Sequence, residues 1–178
     1  LPWVVVLPET EAQVADIVRC CAEHSVPIIP RGAGTGLSGG ARPHQEGVVL
    51  GLSKMSAILD IDPQNRIAKV QPGVRNLAIT QAAQAYGLYY APDPSSQIAC
   101  SIGGNVAENA GGVHCLKYGL TVNNVLGARV VMACGEIVEL GGALYDNPGP
   151  DLLALICGSE GMLGIVTEVT VALLPEPE

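Results

Sequence analysis

The most informative segment of the sequence is the glycine-rich Pro30-Arg31-Gly32-Ala33-Gly34-Thr35-Gly36-Leu37-Ser38-Gly39-Gly40. Its Gly34, Gly36 and Gly39 match the G-x-G-x-x-G pattern of a Rossmann dinucleotide site. That pattern should open a helix, but the chain continues with Ala41-Arg42-Pro43-His44 and soon reaches a strand. The sequence therefore predicts a glycine-rich loop outside the Rossmann architecture.

Such a loop is typical of sites where successive backbone N–H groups converge on a phosphate. Glycine permits positive φ and lets a ligand oxygen approach the backbone closely. Thr35 and Ser38 add hydroxyl donors, and Arg31 can neutralise negative charge. The alternative is a mobile surface loop; the neighbouring buried strand and the apolar Leu37 favour the ordered one.

A second glycine cluster lies in Ser101 to Gly112 (SIGGNVAENAGG) and predicts a helix over 103–110 with Ser101 at or near its N-cap. The first amides of such a helix are unsatisfied, so they would attract a pyrophosphate. Asn105 and Asn109 lie four residues apart, on one helix face, and offer the mixed donors and acceptors that a flavin edge requires. An ordinary capped helix is the alternative.

A third cluster, Gly158 to Gly164, joins a short helix to the last strand, and 12 of the 22 glycines fall in these three clusters. The backbone groups of Ile165 and Val166, directly after it, would face an adenine or flavin ring. Glu160 has two open interpretations, a residue at the ligand or a turn acid with a structural hydrogen bond.

Composition limits the function classes. Apolar residues make up 48% of the chain with few aromatics, which suits a strand-rich core of Val, Ile, Leu and Ala. The net charge of −8 argues against a nucleic-acid partner. Six cysteines form no C-x-x-C pair, so we expect free thiols in a reducing compartment, the cytoplasm. We expect no signal peptide or membrane span, and no metal site, because His24, His44 and His114 are irregularly spaced.

Hydrophobic patterning predicts an α+β fold. Thr10 and Gln13 form a capping box before a helix over 11–24, between strands Trp3–Leu7 and Val26–Pro30. Further predicted elements are strands Val48–Leu52, Ala57–Ile61 and Arg66–Val70, a helix over 75–86, antiparallel strands Val125–Ala133 and Ile137–Leu140, a helix Asp151–Cys157 and a strand Ile165–Leu174. We expect two lobes, a parallel-strand lobe of about 1–70 and an antiparallel-sheet lobe of about 71–178.

Five motifs in order are PRGAGTGLSGG, PDPSS, SIGGNVAENAGG, KYG and GSEGMLGIVTE. Together they resemble the FAD-linked oxidases of the vanillyl-alcohol oxidase/p-cresol methylhydroxylase superfamily, and most closely its glycolate oxidases and D-lactate dehydrogenases. The likeness covers practically the whole chain. It implies the two-lobed FAD-binding domain of the p-cresol methylhydroxylase type.

The resemblance also implies the roles of particular residues. Arg31 to Gly40 and Ser101 to Gly104 would bind the pyrophosphate, while Pro92 and Asn105 to Gly112 would line the flavin. The complete predicted set is Pro30, Arg31, Gly32, Ala33, Gly34, Thr35, Gly36, Leu37, Ser38, Gly39, Pro92, Ser101, Gly103, Gly104, Asn105, Asn109, Gly111, Gly112, Gly161, Ile165 and Val166.

Two departures from the family pattern matter. Relatives with covalent flavin carry a His in the first loop, whereas this chain has Thr35-Gly36, so FAD should be held non-covalently. Relatives also continue into a cap domain that supplies substrate-binding and catalytic His residues, often with a divalent metal. The present sequence ends at Glu178, so we expect an FAD-binding domain over 1–178 without that cap. Within the chain, His114 is a catalytic candidate, and a solvent-facing or structural histidine is the alternative.

The expected function is FAD-dependent oxidation of a small 2-hydroxy acid, of the glycolate or D-lactate type, by hydride transfer to FAD. A cap domain or other subunits are the expected partners. One alternative is an FAD-binding module without catalytic activity of its own. Another is a reductase of the UDP-N-acetylenolpyruvoylglucosamine type, which the second and third glycine motifs disfavour.

Overall fold

A three-stranded parallel sheet forms the N-terminal part of the molecule. In the computed structural model, which describes residues 1–143 and 149–177, its strands are β1 (Val4–Val6), β2 (Ile28–Arg31) and β3 (Val48–Gly51). Their order is β1-β3-β2, and the central β3 is buried along its whole length. Helix α1 (Glu11–Glu23) connects β1 to β2, so the predicted parallel strand–helix–strand unit is confirmed, with β3 inserted between its strands.

The capping box at the start of α1 is confirmed. The Thr10 hydroxyl accepts from the Gln13 N–H at 3.2 Å, and the Gln13 amide oxygen accepts from the Thr10 N–H at 3.3 Å. These bonds satisfy N–H groups that the first helical turn leaves open. The apolar face of α1 buries Val14, Val18 and Cys21.

An antiparallel sheet of five strands forms the rest of the scaffold. Its strands are β4 (Ile58–Asp62), β5 (Ile67–Val70), β7 (Val125–Val131), β8 (Ile137–Gly141) and β9 (Ile165–Ala172), in the order β4-β5-β9-β7-β8. Two short strands, β6 (Leu88–Tyr89) and β10 (Leu174–Pro175), pair separately.

The predicted lobe boundary at about residue 70 is wrong. Strand β5 pairs antiparallel with β9 from Ile67 opposite Ala172 to Val70 opposite Val169, so the β4–β5 hairpin belongs to the second sheet. The hairpin itself is as predicted, because the Asp62 carboxylate accepts from the N–H groups of Gln64 and Asn65. Local turn chemistry marks a hairpin but carries no information about a partner strand near the other end of the chain.

Five further helices are present in the described residues, and all but Cys115–Tyr118 pack against the core of the five-stranded sheet. They are α2 (Asn76–Ala83), α3 (Ile102–Glu108), α4 (Cys115–Tyr118), α5 (Thr121–Asn124) and α6 (Leu152–Ile156). A 3-10 turn, Gln84–Tyr86, extends α2 and ends at Gly87 with φ 67°, as predicted. Ile79 and Ile102 are fully buried in one core with Val130 and Val169. Among the helices that the structure describes, none has the length and apolar character that a membrane span requires.

All six cysteines are free thiols, as expected. Cys21, Cys100 and Cys157 are buried, whereas Cys20 and Cys134 are exposed. Burial raises the pKa of the Cys157 thiol to about 11, since an apolar environment disfavours the thiolate. The Cys157 thiol therefore acts as a small apolar side chain at neutral pH.

A charged network joins helix α1 to the antiparallel sheet. The Glu11 carboxylate, on the first turn of α1, accepts from Arg129 Nη2 at 2.8 Å and from Thr167 Oγ1 at 2.6 Å. Arg129 lies on β7 and Thr167 on β9. The Arg129 hydrogen bond holds the pKa of Glu11 below its ordinary value of 4.5. Beneath this network, Val14 of α1 packs in one cluster with Leu50 of β3 and Val131 of β7.

We predict that Glu11→Gln lowers the free energy of unfolding at pH 7 by about 1 kcal/mol, because solvent screening discounts a charged hydrogen bond at a partly exposed group. The folded-state pKa of Glu11 is depressed, so its contribution is present above the unfolded-state pKa and disappears as pH falls through the folded-state value. Urea denaturation should therefore show wild type and variant converging below about pH 4. In the control Glu9→Gln, which removes an exposed ion pair with Lys54, stability should hardly change. Equal losses in both variants would contradict the prediction.

Candidate functional site

The three glycine clusters meet at one site between the two sheets. A cleft of about 490 Å³ is lined by Gly32 of the first cluster, Gly103 and Gly104 of the second, and Gly161 of the third. A neighbouring cleft of about 740 Å³ shares Gly32 and Gly104 with it and continues along the first loop. Clusters that are far apart in the sequence thus line one continuous groove.

The predicted site residues divide into two groups. Those that line these clefts are Pro30, Arg31, Gly32, Ala33, Gly34, Thr35, Gly36, Ser101, Gly103, Gly104, Asn105, Gly161, Ile165 and Val166. Those outside the lining of both clefts are Leu37, Ser38, Gly39, Pro92, Asn109, Gly111, Gly112 and the catalytic candidate His114.

The third cluster is attached to the C-terminal end of α3. The Gly158 N–H donates to the Val106 carbonyl at 2.9 Å, and the Glu160 N–H donates to the Ala107 carbonyl at 2.8 Å. These carbonyls lie near the end of the helix, where acceptors would otherwise be left open. Gly161 has φ 77°, a left-handed conformation that favours glycine. The backbone N–H of Glu160 thus makes a structural hydrogen bond, and Glu160 is also one of the residues that line the groove.

The first loop is open backbone followed by β3, without a crossover helix, so the exclusion of a Rossmann fold is confirmed. Within the described part of the chain, the backbone N–H groups of residues 33–40 donate to no protein acceptor. The Arg31 guanidinium packs under Gly34, where a β-carbon would lie 2.5 Å from Nη2. Leu37 is fully exposed, so its apolar side chain gives no support for an ordered loop.

The N-terminus of α3 differs from the sequence prediction. The Ile102 N–H donates to the Val74 carbonyl at 2.8 Å, and the Gly103 N–H donates to the Pro72 carbonyl at 2.9 Å. These two amides are therefore not available to an anion. Among the described residues the Gly104 N–H has no protein acceptor, so it remains the helix's donor toward the groove.

Ser101 supplies the most informative atom of the site. Its Oγ is buried and has no hydrogen-bond partner among the described residues. A β-carbon at Gly32 would collide with this oxygen, and one at Gly104 would lie 3.2 Å from it. A buried hydroxyl left without a partner costs roughly 1–3 kcal/mol. Glycine at these positions thus lets the backbone pack against an unsatisfied donor at the edge of the groove, and such a donor fits an oxygen-rich anionic ligand such as a pyrophosphate.

The two asparagines of the second cluster do not share an open face. The Asn105 amide oxygen accepts from Asn76 Nδ2 at 3.0 Å, and its amide nitrogen donates to Cys100 Sγ at 3.3 Å. Asn109 caps α3 in a left-handed conformation with φ 48°, and its Oδ1 accepts from the Val122 N–H. The prediction failed because the helix ends at Glu108, one residue before Asn109.

The buried side-chain amide of Asn76 holds Pro92, a residue predicted to line the flavin, in place. Asn76 is 2% exposed, and its Nδ2 donates to the Pro92 carbonyl at 3.0 Å. Gly112 packs directly on Asp93, so a β-carbon there would collide with the Asp93 backbone. Sequence reasoning missed Asn76, because a single Asn at the start of a helix gives no signal of a partner elsewhere.

His114 lies beside this segment, in a cluster of titratable groups. Its Nδ1 is 2.7 Å from Asp93 Oδ2, and its side chain is 63% exposed. The Tyr118 ring lies 6.4 Å from the imidazole. A hydrogen bond with Lys117 lowers the pKa of the Tyr118 hydroxyl. Burial raises the pKa of Tyr89, whose ring packs edge-on against Tyr118, to about 12. The cluster is therefore open to solvent on the His114 side.

Comparison with known proteins identifies the fold and the cofactor. The family described as FAD binding domain matches residues 2–141. The chain belongs to this FAD-binding family. It is 63% identical over 176 residues to the glycolate oxidase subunit GlcD of Escherichia coli K12, covering 99% of this chain and 35% of that protein.

Other relatives agree. The GlcD subunit of Bacillus subtilis is 49% identical over 100% of the chain and 38% of its own length, and the D-lactate dehydrogenase of Anaerostipes hadrus is 44% identical over 99% and 37%. A solved structure of alkyldihydroxyacetonephosphate synthase superposes with a TM-score of 0.86 at 27% identity, covering 98% of this chain and 34% of that one. The chain thus spans little more than a third of these relatives, and the predicted α+β FAD-binding fold is confirmed.

We predict that Ser101→Ala separates stability from binding. Removing the unsatisfied hydroxyl should raise the free energy of unfolding of the apoprotein by up to about 1 kcal/mol, while FAD affinity falls roughly tenfold through the lost donor. Urea denaturation and flavin fluorescence titration measure the two effects. In the control Ser95→Ala, at an exposed position outside both clefts, neither quantity should change. A destabilised Ser101→Ala apoprotein would show that the hydroxyl is structurally bonded.

Gly32→Ala should weaken FAD binding by at least about tenfold, because its β-carbon would collide with Ser101 Oγ where the groove must stay open. Gly40→Ala is the matched control in the same loop, since the nearest atom to its β-carbon would lie 3.4 Å away in ordinary contact. Flavin fluorescence titration of both variants checks this. Equal affinities for the two would contradict the assigned position of the pyrophosphate.

Proposed function

We propose that this chain forms the FAD-binding part of a flavin-dependent oxidoreductase that oxidises a small 2-hydroxy acid, such as glycolate or D-lactate. The observation that carries the proposal is the buried, unpartnered Ser101 hydroxyl at the point where the three glycine clusters meet. The substrate class follows the relatives, which are named glycolate oxidase subunit and D-lactate dehydrogenase.

The pyrophosphate would be held by the loop amides of residues 33–40, the Gly104 N–H and the Ser101 hydroxyl, with Arg31 offsetting its charge. Pro92, Gly111 and Gly112 would flank the flavin end, and Gly161, Ile165 and Val166 the adenine end. Asn105 and Asn109 would act indirectly, by fixing the backbone around α3 through their hydrogen bonds to Asn76, Cys100 and Val122. When bound, FAD supplies the acceptor for a hydride from the carbon that carries the substrate hydroxyl.

The contribution of the protein is orientation and electrostatics. Backbone donors of α3 and the first loop would stabilise a doubly negative group, and each such contact contributes about 0.3–1 kcal/mol. We propose non-covalent attachment, since Thr35 and Gly36 stand where flavin-linked relatives carry a His. We also propose a cytoplasmic protein that works with further subunits; the six free thiols and the subunit name of the first relative support this.

Substrate chemistry needs a base and a carboxylate-binding group. His114, held by Asp93, is the candidate in this chain for contact with an anionic substrate, while the base that removes the hydroxyl proton would come from elsewhere. A second candidate function is an FAD-binding module without turnover of its own. It is favoured by the position of His114, which is largely exposed and lines neither cleft.

Flavin spectroscopy tests both candidates. We expect the chain to bind FAD and, after denaturation and precipitation, to leave the yellow colour in the supernatant; a yellow pellet would contradict non-covalent binding. Anaerobic D-lactate or glycolate should then bleach the flavin of the full-length protein that carries this chain. Bleaching of the isolated chain would assign turnover to it, whereas bound but unbleached flavin would assign it the module role. A chain that binds no FAD contradicts both.

A further inference from the structure

One carboxylate occupies the loop that should receive the phosphates. The Ser38 hydroxyl is 2.9 Å from Glu108 Oε1 and 2.8 Å from Oε2, and donates to this carboxylate. Ser38 lies on the first glycine-rich loop, and Glu108 is the last residue of α3. A β-carbon at Gly36 would lie 3.0 Å from Glu108 Oε1, so the carboxylate also packs against the loop backbone.

The charge around this contact is unfavourable. In the described residues, Glu108 has no Lys, Arg or His nitrogen within salt-bridge distance. It also stands at the C-terminal end of α3, where the helix dipole is negative. The Glu160 carboxylate lies near Gly40, with its Oε2 3.4 Å from where a β-carbon would be, and Arg31 is the cation packed into the loop. Two carboxylates therefore flank donors that have no protein acceptor.

We propose that the Ser38–Glu108 contact is a latch that holds the first loop against α3 and competes with the phosphates of the dinucleotide. This inference rests on the proposed binding of FAD at the same loop. Glu108 supplies the negative charge that the loop otherwise takes from the ligand. Binding then requires the Ser38 hydroxyl to leave Glu108, after which it can donate to a phosphate oxygen.

The latch makes loading of the cofactor slower and weaker than the donor set alone would allow. A single charged hydrogen bond at an exposed site weakens FAD binding by a small factor, because it must break first. Repulsion between the Glu108 carboxylate and the phosphates weakens binding further. Glu160 shares the repulsion, but its carboxylate accepts no hydrogen bond from the loop within the described chain. Glu160 is therefore the matched control, because it has the negative charge of Glu108 but not the hydrogen bond to Ser38.

The test is stopped-flow measurement of FAD association by flavin fluorescence, at low and high salt. Glu108→Ala should raise the association rate constant roughly five- to tenfold, and Glu108→Gln by less, because an amide oxygen still accepts from Ser38. Glu160→Ala should give a smaller increase that disappears at high salt. Ser38→Ala should speed association in the wild-type background and have no accelerating effect when Glu108 is already Ala.

The outcomes separate the two claims. Slower or unchanged association in Glu108→Ala, or an effect equal to that of Glu160→Ala at high salt, would overturn the latch while leaving FAD binding intact. Additive acceleration by Ser38→Ala and Glu108→Ala would also overturn it. If neither the wild type nor Glu108→Ala binds FAD, the proposed function itself fails. Circular dichroism of each variant confirms that the fold is retained.

Discussion

Helix α3 is held at both ends by backbone hydrogen bonds to other parts of the chain, and the whole site depends on this. Its first amides donate to the carbonyls of Pro72 and Val74, and its last turn accepts from Gly158 and Glu160. A helix of seven residues has little stability of its own, so these partners fix its position. Most of the second glycine cluster lies in α3, and the third cluster is hydrogen-bonded to the end of this helix. Fixing α3 therefore places both clusters beside the first loop.

This anchoring explains why a buried hydroxyl can remain unsatisfied. Ser101 precedes the helix and forms an isolated bridge with Arg75, so its backbone cannot move to find a partner for Oγ. Gly32 and Gly104 pack close to this oxygen, where a β-carbon would collide with it or press against it. The apoprotein bears an energetic cost that a ligand oxygen removes, which is a common arrangement at binding sites.

Features set by neighbouring residues could be predicted from the sequence. The capping box at Thr10, the hairpin turn at Asp62 and the helix end at Gly87 all follow from local chemistry, and all are present. The glycine motifs and their order predicted the family and the cofactor correctly. They could do so because close approach of backbone to a ligand requires glycine at particular positions.

Features that depend on distant contacts could not be predicted. The pairing of β5 with β9, the capture of the Gly103 amide by Pro72 and the left-handed cap at Asn109 are settled by partners that no local pattern reveals. Burial of Ser101 Oγ belongs to the same class. The errors therefore lie in which backbone donors stay open within the groove that the three clusters line.

The position of the groove has a consequence for the folding cooperativity of the protein. Its walls include Pro30 from the parallel sheet and Val166 from the antiparallel sheet, whose direct connection runs through the Glu11–Arg129–Thr167 network and the α1 core. A ligand that contacts both walls binds only when both sheets are folded together. By mass action it stabilises that state over any form in which one sheet has opened. A cofactor bound in this groove would serve as a non-covalent cross-link of the two halves, and the two sheets would melt as one unit in the holoprotein.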